Sequence, residues 1–107
     1  METFREFLRT ERTKRGLNQS EFGQVFGIIM TDISKIETGK KKFPFPSLED
    51  LASFLETDYL ELKNLYVAEM LVEEAHKYEC TDAVFAVAKN QSKYVRNKNV
   101  KQGKIKF

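Results

Sequence analysis

Apolar residues recur every three or four positions along most of this chain, which is the spacing that gathers them on one face of an α-helix. Glycine, proline and polar breaks separate the periodic stretches, and the pattern predicts an all-α fold. The predicted helices run from Phe4 to about Lys14, from Gln19 to about Phe26, from Met30 to about Thr38, from Ser47 to about Leu55, from Asp58 to about Tyr78, and from Thr81 to about Val95. In the first helix the expected inner residues are Phe4, Phe7 and Leu8, and the expected outer ones are Arg5, Arg9 and Arg12.

The second predicted helix carries the residues of a tight turn between helices. Phe22, Val25 and Phe26 share one face, which we expect to face the core. Gly23 has no side chain and would let the next helix approach the backbone closely. Gly27 lies just past the helix end, where a glycine can adopt the left-handed conformation that redirects the chain.

The third predicted helix follows at once and divides its residues between two faces. Ile33 and Ile36 are expected to point inward together with Ile28, and Gly39 ends the helix. The outer face consists of Met30, Thr31, Ser34, Lys35 and Thr38. Two short helices joined in this way are typical of a DNA-binding helix-turn-helix, in which the second helix enters the major groove.

A resemblance to a known family rests on Gln19, Phe22, Gly23, Gly27, Ile28, Ile33, Ser34, Ile36, Glu37 and Gly39. The pattern resembles the phage repressor family, also called the Xre or Cro/C1 type, over residues 4 to about 62. The resemblance implies a five-helix, lambda-repressor-like DNA-binding domain, to which this chain adds a short C-terminal helix and a basic tail. It also implies that Glu37 ties the end of the third helix to a neighbouring basic side chain.

Two positions depart from the family pattern. Gly23 stands where alanine is commonest, and the smaller residue is harmless on size grounds. Ile29 stands where a serine or threonine usually caps the recognition helix, and the loss of that cap costs about 1 kcal/mol of helix stability. The recognition helix is therefore expected to begin at Met30 or, alternatively, at Thr31 or Asp32.

The resemblance also assigns DNA contacts to individual residues. Base contacts are expected from Met30, Thr31 and Lys35 on the outer face of the recognition helix. Asp32 has three alternative roles: it accepts a hydrogen bond from a cytosine amino group, pairs with Lys35, or caps the helix. Phosphate contacts are expected from Asn18, Gln19, Ser34, Thr38, Lys40, Lys41 and Lys42.

Charge is unevenly distributed although the formal net charge is only +2. Basic residues outnumber acidic ones nine to six in residues 1–42, acidic residues outnumber basic ones ten to two in residues 43–82, and residues 83–107 carry seven basic residues and no acidic one. Basic ends suit contact with phosphates, and an acidic middle suits contact with protein. We assign a DNA-binding domain to residues 1–78 with its helix-turn-helix at about 19–38, a C-terminal helix and candidate dimer contact to 79–95, and a flexible basic tail to 96–107.

Several classes of site are disfavoured by composition. Cys80 and His76 are the only cysteine and histidine, so the sequence predicts neither a disulfide framework nor a zinc site. No histidine or other general base accompanies Ser34, and we expect no catalytic residue, no cofactor and no small-molecule ligand. Apolar runs are far shorter than the ~20 residues that span a bilayer, and residues 1–15 are too charged for a signal sequence. We expect a cytoplasmic protein that is not an enzyme and does not contact membranes.

The main functional hypothesis is a sequence-specific transcriptional regulator of double-stranded DNA. It would pair as a homodimer on an inverted-repeat operator and repress its own promoter, with surplus apolar residues of the fifth and sixth helices as the dimer interface. The stretch DAVFAVAKNQSKY also resembles the tail of small regulators that accompany restriction and DNA methyltransferase genes. An alternative is an antitoxin-type protein that binds a cognate toxin and its own operator. A third hypothesis keeps the fold for protein binding without DNA.

Overall fold

Six α-helices and one short 3-10 helix make up the regular structure in a computed structural model, which describes residues 2–101 and their side chains as far as residue 99. The helices are α1 (Phe4–Lys14), α2 (Gln19–Phe26), α3 (Met30–Glu37), α4 (Leu48–Phe54), α5 (Tyr59–Lys77) and α6 (Ala83–Lys101), with the 3-10 helix at Phe45–Ser47. The all-α fold predicted from apolar periodicity is confirmed.

Backbone contacts divide the chain within α5. One compact unit ends at Met70 and a second begins at Leu71. The first unit contains α1 to α4 and most of α5, and therefore the whole predicted helix-turn-helix. The second contains the end of α5 and all of α6.

The first two helices begin with reciprocal capping boxes. In α1 the Glu6 amide donates to Thr3 Oγ1 at 3.4 Å, and the Thr3 amide donates to Glu6 Oε1 at 3.0 Å. The hydrogen bonds that the Thr3 amide and the Thr3 hydroxyl donate to the Glu6 carboxylate hold its pKa below the usual range. In α2 the Glu21 amide donates to Asn18 Oδ1 at 2.7 Å, and the Asn18 amide donates back to Glu21 Oε1 at 2.9 Å. Each box satisfies backbone donors that a helix start leaves without partners.

The core of the first unit is built by residues from every helix of that unit. Its buried members are Phe4, Leu8, Phe22, Ile33, Ile36, Phe43, Leu48, Leu51, Ala52, Leu55, Leu62 and Tyr66. Phe22, Phe26 and Phe54 contact one another with ring centroids 5.3 to 6.0 Å apart in edge-on arrangements. Apart from Phe43, which lies in the loop after α3, these residues follow the three-to-four residue spacing from which the helices were predicted.

Phe43 and Tyr66 join the loop after α3 to α5. Phe43 is fully buried, and the Tyr66 hydroxyl donates a hydrogen bond to its carbonyl oxygen. Burial, together with the nearby Glu69 charge, raises the pKa of the Tyr66 phenol. The loop that carries the lysine run is therefore anchored to the core at its far end.

Two expectations about burial in the first unit are wrong. Val25 was expected in the core but is 49% exposed, because it lies at the edge of the α2 face that Phe22 and Phe26 occupy. Arg12 was expected on the outer side of α1 but is only 8% exposed. Its guanidinium points inward because a carboxylate from α3 meets it there.

The turn between α2 and α3 depends on two glycines with different roles. Gly27 closes α2 in the left-handed conformation, with φ 67° and ψ 30°, which costs a residue with a Cβ about 1 to 2 kcal/mol. Gly23 is the point of close approach, since a Cβ there would overlap the carbonyl oxygen of Ile28 and lie 3.1 Å from Ile33 Cγ1. The Ile28 amide also donates to the Gly23 carbonyl at 2.8 Å. Glycine at position 23 therefore permits the packing of α3 against α2.

The second unit differs from the sequence expectation at its C-terminal end. The sixth helix was expected to end near residue 95 and a flexible tail to begin at 96, but α6 continues to Lys101. No glycine or proline interrupts residues 83–101, and basic residues near a helix C-terminus interact favourably with its dipole. The rest of the expected tail, residues 102–107, lies outside the described residues. None of the helices in the described part combines the length and the apolarity needed to cross a membrane.

We expect Gly23→Ala to lower the free energy of unfolding by about 2 kcal/mol, because the added methyl group meets backbone rather than a movable side chain. Urea denaturation followed by circular dichroism measures the change. Gln24→Ala on the exposed side of the same helix is the matched control and should alter stability by less than about 0.5 kcal/mol. Equal stability of the two variants would contradict the close approach at Gly23.

Candidate nucleic-acid interface

The outer face of α3 presents the side chains that the sequence assigned to base contacts. Met30 is 53% exposed, and Thr31 and Lys35 are also exposed. On the opposite side of the same helix, Ile33 and Ile36 are buried in the core. The exposed face is therefore held by packing on its reverse side, which fixes the direction in which its side chains project.

Helix α3 begins at Met30, so the alternative starts at Thr31 and Asp32 are wrong. Ile29 occupies the N-cap position in extended conformation and makes no side-chain capping hydrogen bond. The Asp32 and Ile33 amides both donate to the Ile29 carbonyl, at 3.0 and 3.1 Å. The helix therefore begins with backbone hydrogen bonds alone, because the isoleucine at its N-cap has no side-chain acceptor.

Asp32 takes a partner that none of its three expected roles included. Its Oδ2 accepts a hydrogen bond from Lys41 Nζ at 2.8 Å. The pair links the first turn of α3 to the lysine-rich loop nine residues further along the chain. One of the three loop lysines therefore neutralises the carboxylate that would otherwise repel phosphates.

A buried ion pair connects α1 to the end of α3. Arg12 Nε donates to Glu37 Oε2 at 2.6 Å, and Arg12 Nη2 donates to Glu37 Oε1 at 3.0 Å. Arg12 Nη1 also donates to the Leu17 carbonyl at 2.8 Å. The two-point geometry is the strong form of an arginine–carboxylate contact. The prediction that Glu37 ties the helix end to a basic side chain is confirmed.

Gln19 brings α2 into the same cluster. Its Nε2 donates to Glu37 Oε1 at 3.1 Å, and the residue is half-buried. A side-chain amide carries two N–H donors, so one remains for another acceptor. Asn18 is exposed and uses its side-chain oxygen to cap α2, which leaves its amide nitrogen free of that bond. Both predicted phosphate-binding residues thus lie at the N-terminus of α2, where backbone N–H groups also project.

The remaining predicted phosphate contacts differ in their surroundings. Ser34 is half-buried, whereas Thr38 is exposed. The Thr38 hydroxyl donates to the Ser34 carbonyl at 2.9 Å, with the Lys35 carbonyl a second acceptor at 3.2 Å. Donation to a phosphate would require Thr38 to give up this bond. The lysine run Lys40, Lys41 and Lys42 is exposed throughout.

A family model described as a helix-turn-helix domain matches residues 3–65, more than half of the chain. The chain belongs to the helix-turn-helix domain family. No curated protein and no solved structure matches it significantly. The matched helix-turn-helix domain contains α1 to α4, the start of α5 and every residue of the interface described above. Domains of this family typically bind DNA rather than catalyse reactions.

Sequence reasoning missed the exposed apolar surface of the helix-turn-helix. Ile29, which precedes Met30 in the chain, is 65% exposed, and Val25 on α2 is also exposed. The apolar residue at position 29, where a polar cap is usual, was the sequence signal for this exposed apolar surface. In addition, no group of histidine, cysteine and acidic side chains in residues 2–101 is arranged to hold a metal ion.

We expect Arg12→Met to destabilise the protein by about 3 to 5 kcal/mol, because it leaves the Glu37 carboxylate buried without its partner. Thermal or urea unfolding measures the loss. The double variant Arg12→Met with Glu37→Met removes both charges and should recover much of it.

The matched control for this prediction is Lys14→Met. Lys14 forms an exposed pair with Glu11 at 3.6 Å, and its own side chain is 69% exposed. Surface pairs of this kind contribute about 0 to 1 kcal/mol. A similar effect of the two single substitutions would contradict a special role for the buried pair.

Proposed function

We propose that this protein is a sequence-specific double-stranded DNA-binding transcriptional regulator of the phage repressor, Xre or Cro/C1, type. The observation that carries the proposal is the division of α3 into a buried side, Ile33 and Ile36, and an exposed side, Met30, Thr31 and Lys35. A helix about 10 to 12 Å across fits the major groove, which is about 12 Å wide. The exposed side would meet base edges there.

The three exposed side chains offer complementary chemistry. The Lys35 ammonium can donate to guanine O6 and N7, which lie on the major-groove edge. Thr31 can hydrogen-bond a base or contact a thymine methyl group, and Met30 supplies apolar contact. Apolar surface at Ile29 extends the area available to thymine methyl groups. This combination supports reading of a mixed sequence rather than general attraction to phosphates.

Charge around α3 supports approach to a polyanion. Lys35 and Lys40 are exposed and form no ion pair within the described residues. Lys41 pairs with Asp32 and Arg12 pairs with Glu37, so the two acidic residues of α3 do not cancel them. The N-terminus of α2, with the second amide donor of Gln19, offers a site for a phosphate. These groups would fix the register of α3 in the groove.

A homodimer on an inverted repeat fits the small reading surface of one α3 helix. Apolar side chains remain exposed along α5: Leu60, Val67 and Met70 in the first unit and Leu71 and Val72 in the second. Leu62 and Tyr66 of the same helix are buried in the core of the first unit and are not available to such an interface. A two-fold dimer would bury the exposed set and space two α3 helices for neighbouring half-sites. We infer that such a dimer represses its own promoter, in the manner of a restriction–modification controller.

Selection of bound duplexes from a random pool tests the DNA-binding proposal. We expect an inverted repeat that binds at least ~1000-fold more tightly than scrambled DNA. Lys35→Ala and Thr31→Ala should each weaken that site by about 1 to 3 kcal/mol while changing scrambled-DNA affinity much less, because only the selected site offers the base contacts.

Lys63→Ala is the matched control for these substitutions. It removes the same charge from α5, where Lys63 lies over the Tyr59 ring with its Nζ 4.9 Å from the ring centroid. Its affinity for the selected site should stay close to wild-type. Absence of any enriched sequence would reject the proposal and turn attention to protein partners such as a toxin.

Sedimentation at micromolar concentration tests the dimer. We expect a dimer for the wild-type protein and a monomer for Leu71→Glu, because a carboxylate at this 55% exposed position would have to be buried in the interface. Ser53→Glu, on an exposed position of α4, adds the same charge and should leave the dimer intact. A wild-type monomer that stays monomeric on DNA would refute the assembly.

A further inference from the structure

The final helix of the structure is basic along its entire length. Residues 83–101 of α6 include Lys89, Lys93, Arg96, Lys98 and Lys101 and no acidic residue. The part from residue 96 onward was expected to be a flexible tail, in which basic side chains would have no fixed arrangement. Continuation of the helix gives these charges a defined spacing.

Helical geometry gathers three of the basic residues on one side of α6. Successive residues turn by about 100°, so Lys93 and Arg96 project within about 60° of each other and on either side of Lys89. Lys98 projects about 180° away from Lys89. Ser92 and Asn97, both exposed and polar, border the group. We call Lys89, Lys93 and Arg96 the α6 basic stripe.

The lysines of this stripe are available for an external partner. Lys89 and Lys93 are exposed and make no ion pair or hydrogen bond within the described residues. Like charges four residues apart on a helix repel each other and destabilise it slightly. This repulsion lowers the stability of α6 slightly, and an anion bound along the helix would relieve it.

We propose that the α6 basic stripe binds the phosphate backbone of DNA, as a second contact that does not depend on sequence. The inference rests on the proposed function, since it assumes that α3 reads the same duplex. Lys89 and Lys93 are separated by about 6 Å along the helix, and Lys89 and Arg96 by about 10 Å. One DNA strand carries a phosphate for every ~3.4 Å of its axis, so these separations correspond to about two and three phosphate steps along one strand.

An acidic protein surface is the competing partner, and the composition of the stripe disfavours it. Protein interfaces are organised around buried apolar or aromatic anchors, with charged residues depleted at their centre. Within residues 89–97 the stripe and its polar borders have no such anchor. The exposed apolar residues Val87, Tyr94 and Val95 project at least about 120° away from Lys89. A row of cations with polar borders suits phosphates, which are met through the solvent-exposed tips of the side chains.

The test measures how binding depends on salt, using the full-length protein and two duplexes, the selected site and scrambled DNA. Lys89→Gln with Lys93→Gln should lower the slope of log affinity against log salt by about two for each bound subunit, on both duplexes alike. Over a fourfold rise in salt, the affinity lost would then be about tenfold smaller per subunit than for wild-type. The ratio of specific to scrambled affinity should not change.

Two controls separate charge from helix structure. Lys89→Arg with Lys93→Arg keeps both charges and should retain the wild-type slope. Lys98→Gln removes one charge from the opposite side of α6 and should leave the slope nearly unchanged. Circular dichroism verifies that all variants keep the same helix content.

The outcomes distinguish this inference from the proposed function. An unchanged slope in Lys89→Gln with Lys93→Gln overturns the proposal that the α6 basic stripe binds DNA. A change in sedimentation without a change in DNA binding also overturns it, and would assign the stripe to a protein partner. Failure of the wild-type protein to discriminate between the two duplexes refutes specific regulation instead. The slope on scrambled DNA would still test the stripe in that case.

Discussion

The buried contact between Arg12 and Glu37 is the constraint on which the arrangement of α3 depends. Two charged groups lie in the interior of a small domain, and each satisfies the other through two hydrogen bonds. Buried pairs contribute little net stability compared with apolar residues of the same size, yet a single unpaired member is costly. Such a pair selects one arrangement of its helices over alternatives. Here it fixes the end of α3 against α1, and Gln19 adds α2 to the same point.

The turn between α2 and α3 supplies the second constraint. Gly23 allows the Ile28 carbonyl to lie against the backbone of α2, while the ion pair holds the far end of α3. A helix that is fixed at both ends and buried along one side has little freedom to rotate. Its exposed residues are therefore preorganised, and binding them to DNA would require little additional ordering.

Local signals in the sequence predicted the features that depend on neighbouring residues. Apolar spacing and the glycine at the α2 end predicted the limits of α1 and α2, and those limits are confirmed. The capping boxes at Thr3 and Asn18 are added by the structure. Features that depend on distant partners could not be predicted in this way. Arg12 is turned inward by a residue 25 positions away, and Phe43 is anchored by one 23 positions away. For α6, the lack of apolar periodicity suggested a flexible tail, whereas the absence of a helix breaker was the better guide.

Under the proposed function, the uncapped start of α3 would link folding to binding. The first two amides of the helix, those of Met30 and Thr31, have no acceptor in the preceding turn of an α-helix, and Ile29 offers no side-chain oxygen to replace one. If α3 enters the major groove as proposed, a phosphate at this end would satisfy them. A DNA phosphate would then act as the N-cap of α3, in place of the side-chain cap that Ile29 does not provide. By mass action, occupancy of the operator and integrity of the first turn of α3 would rise together.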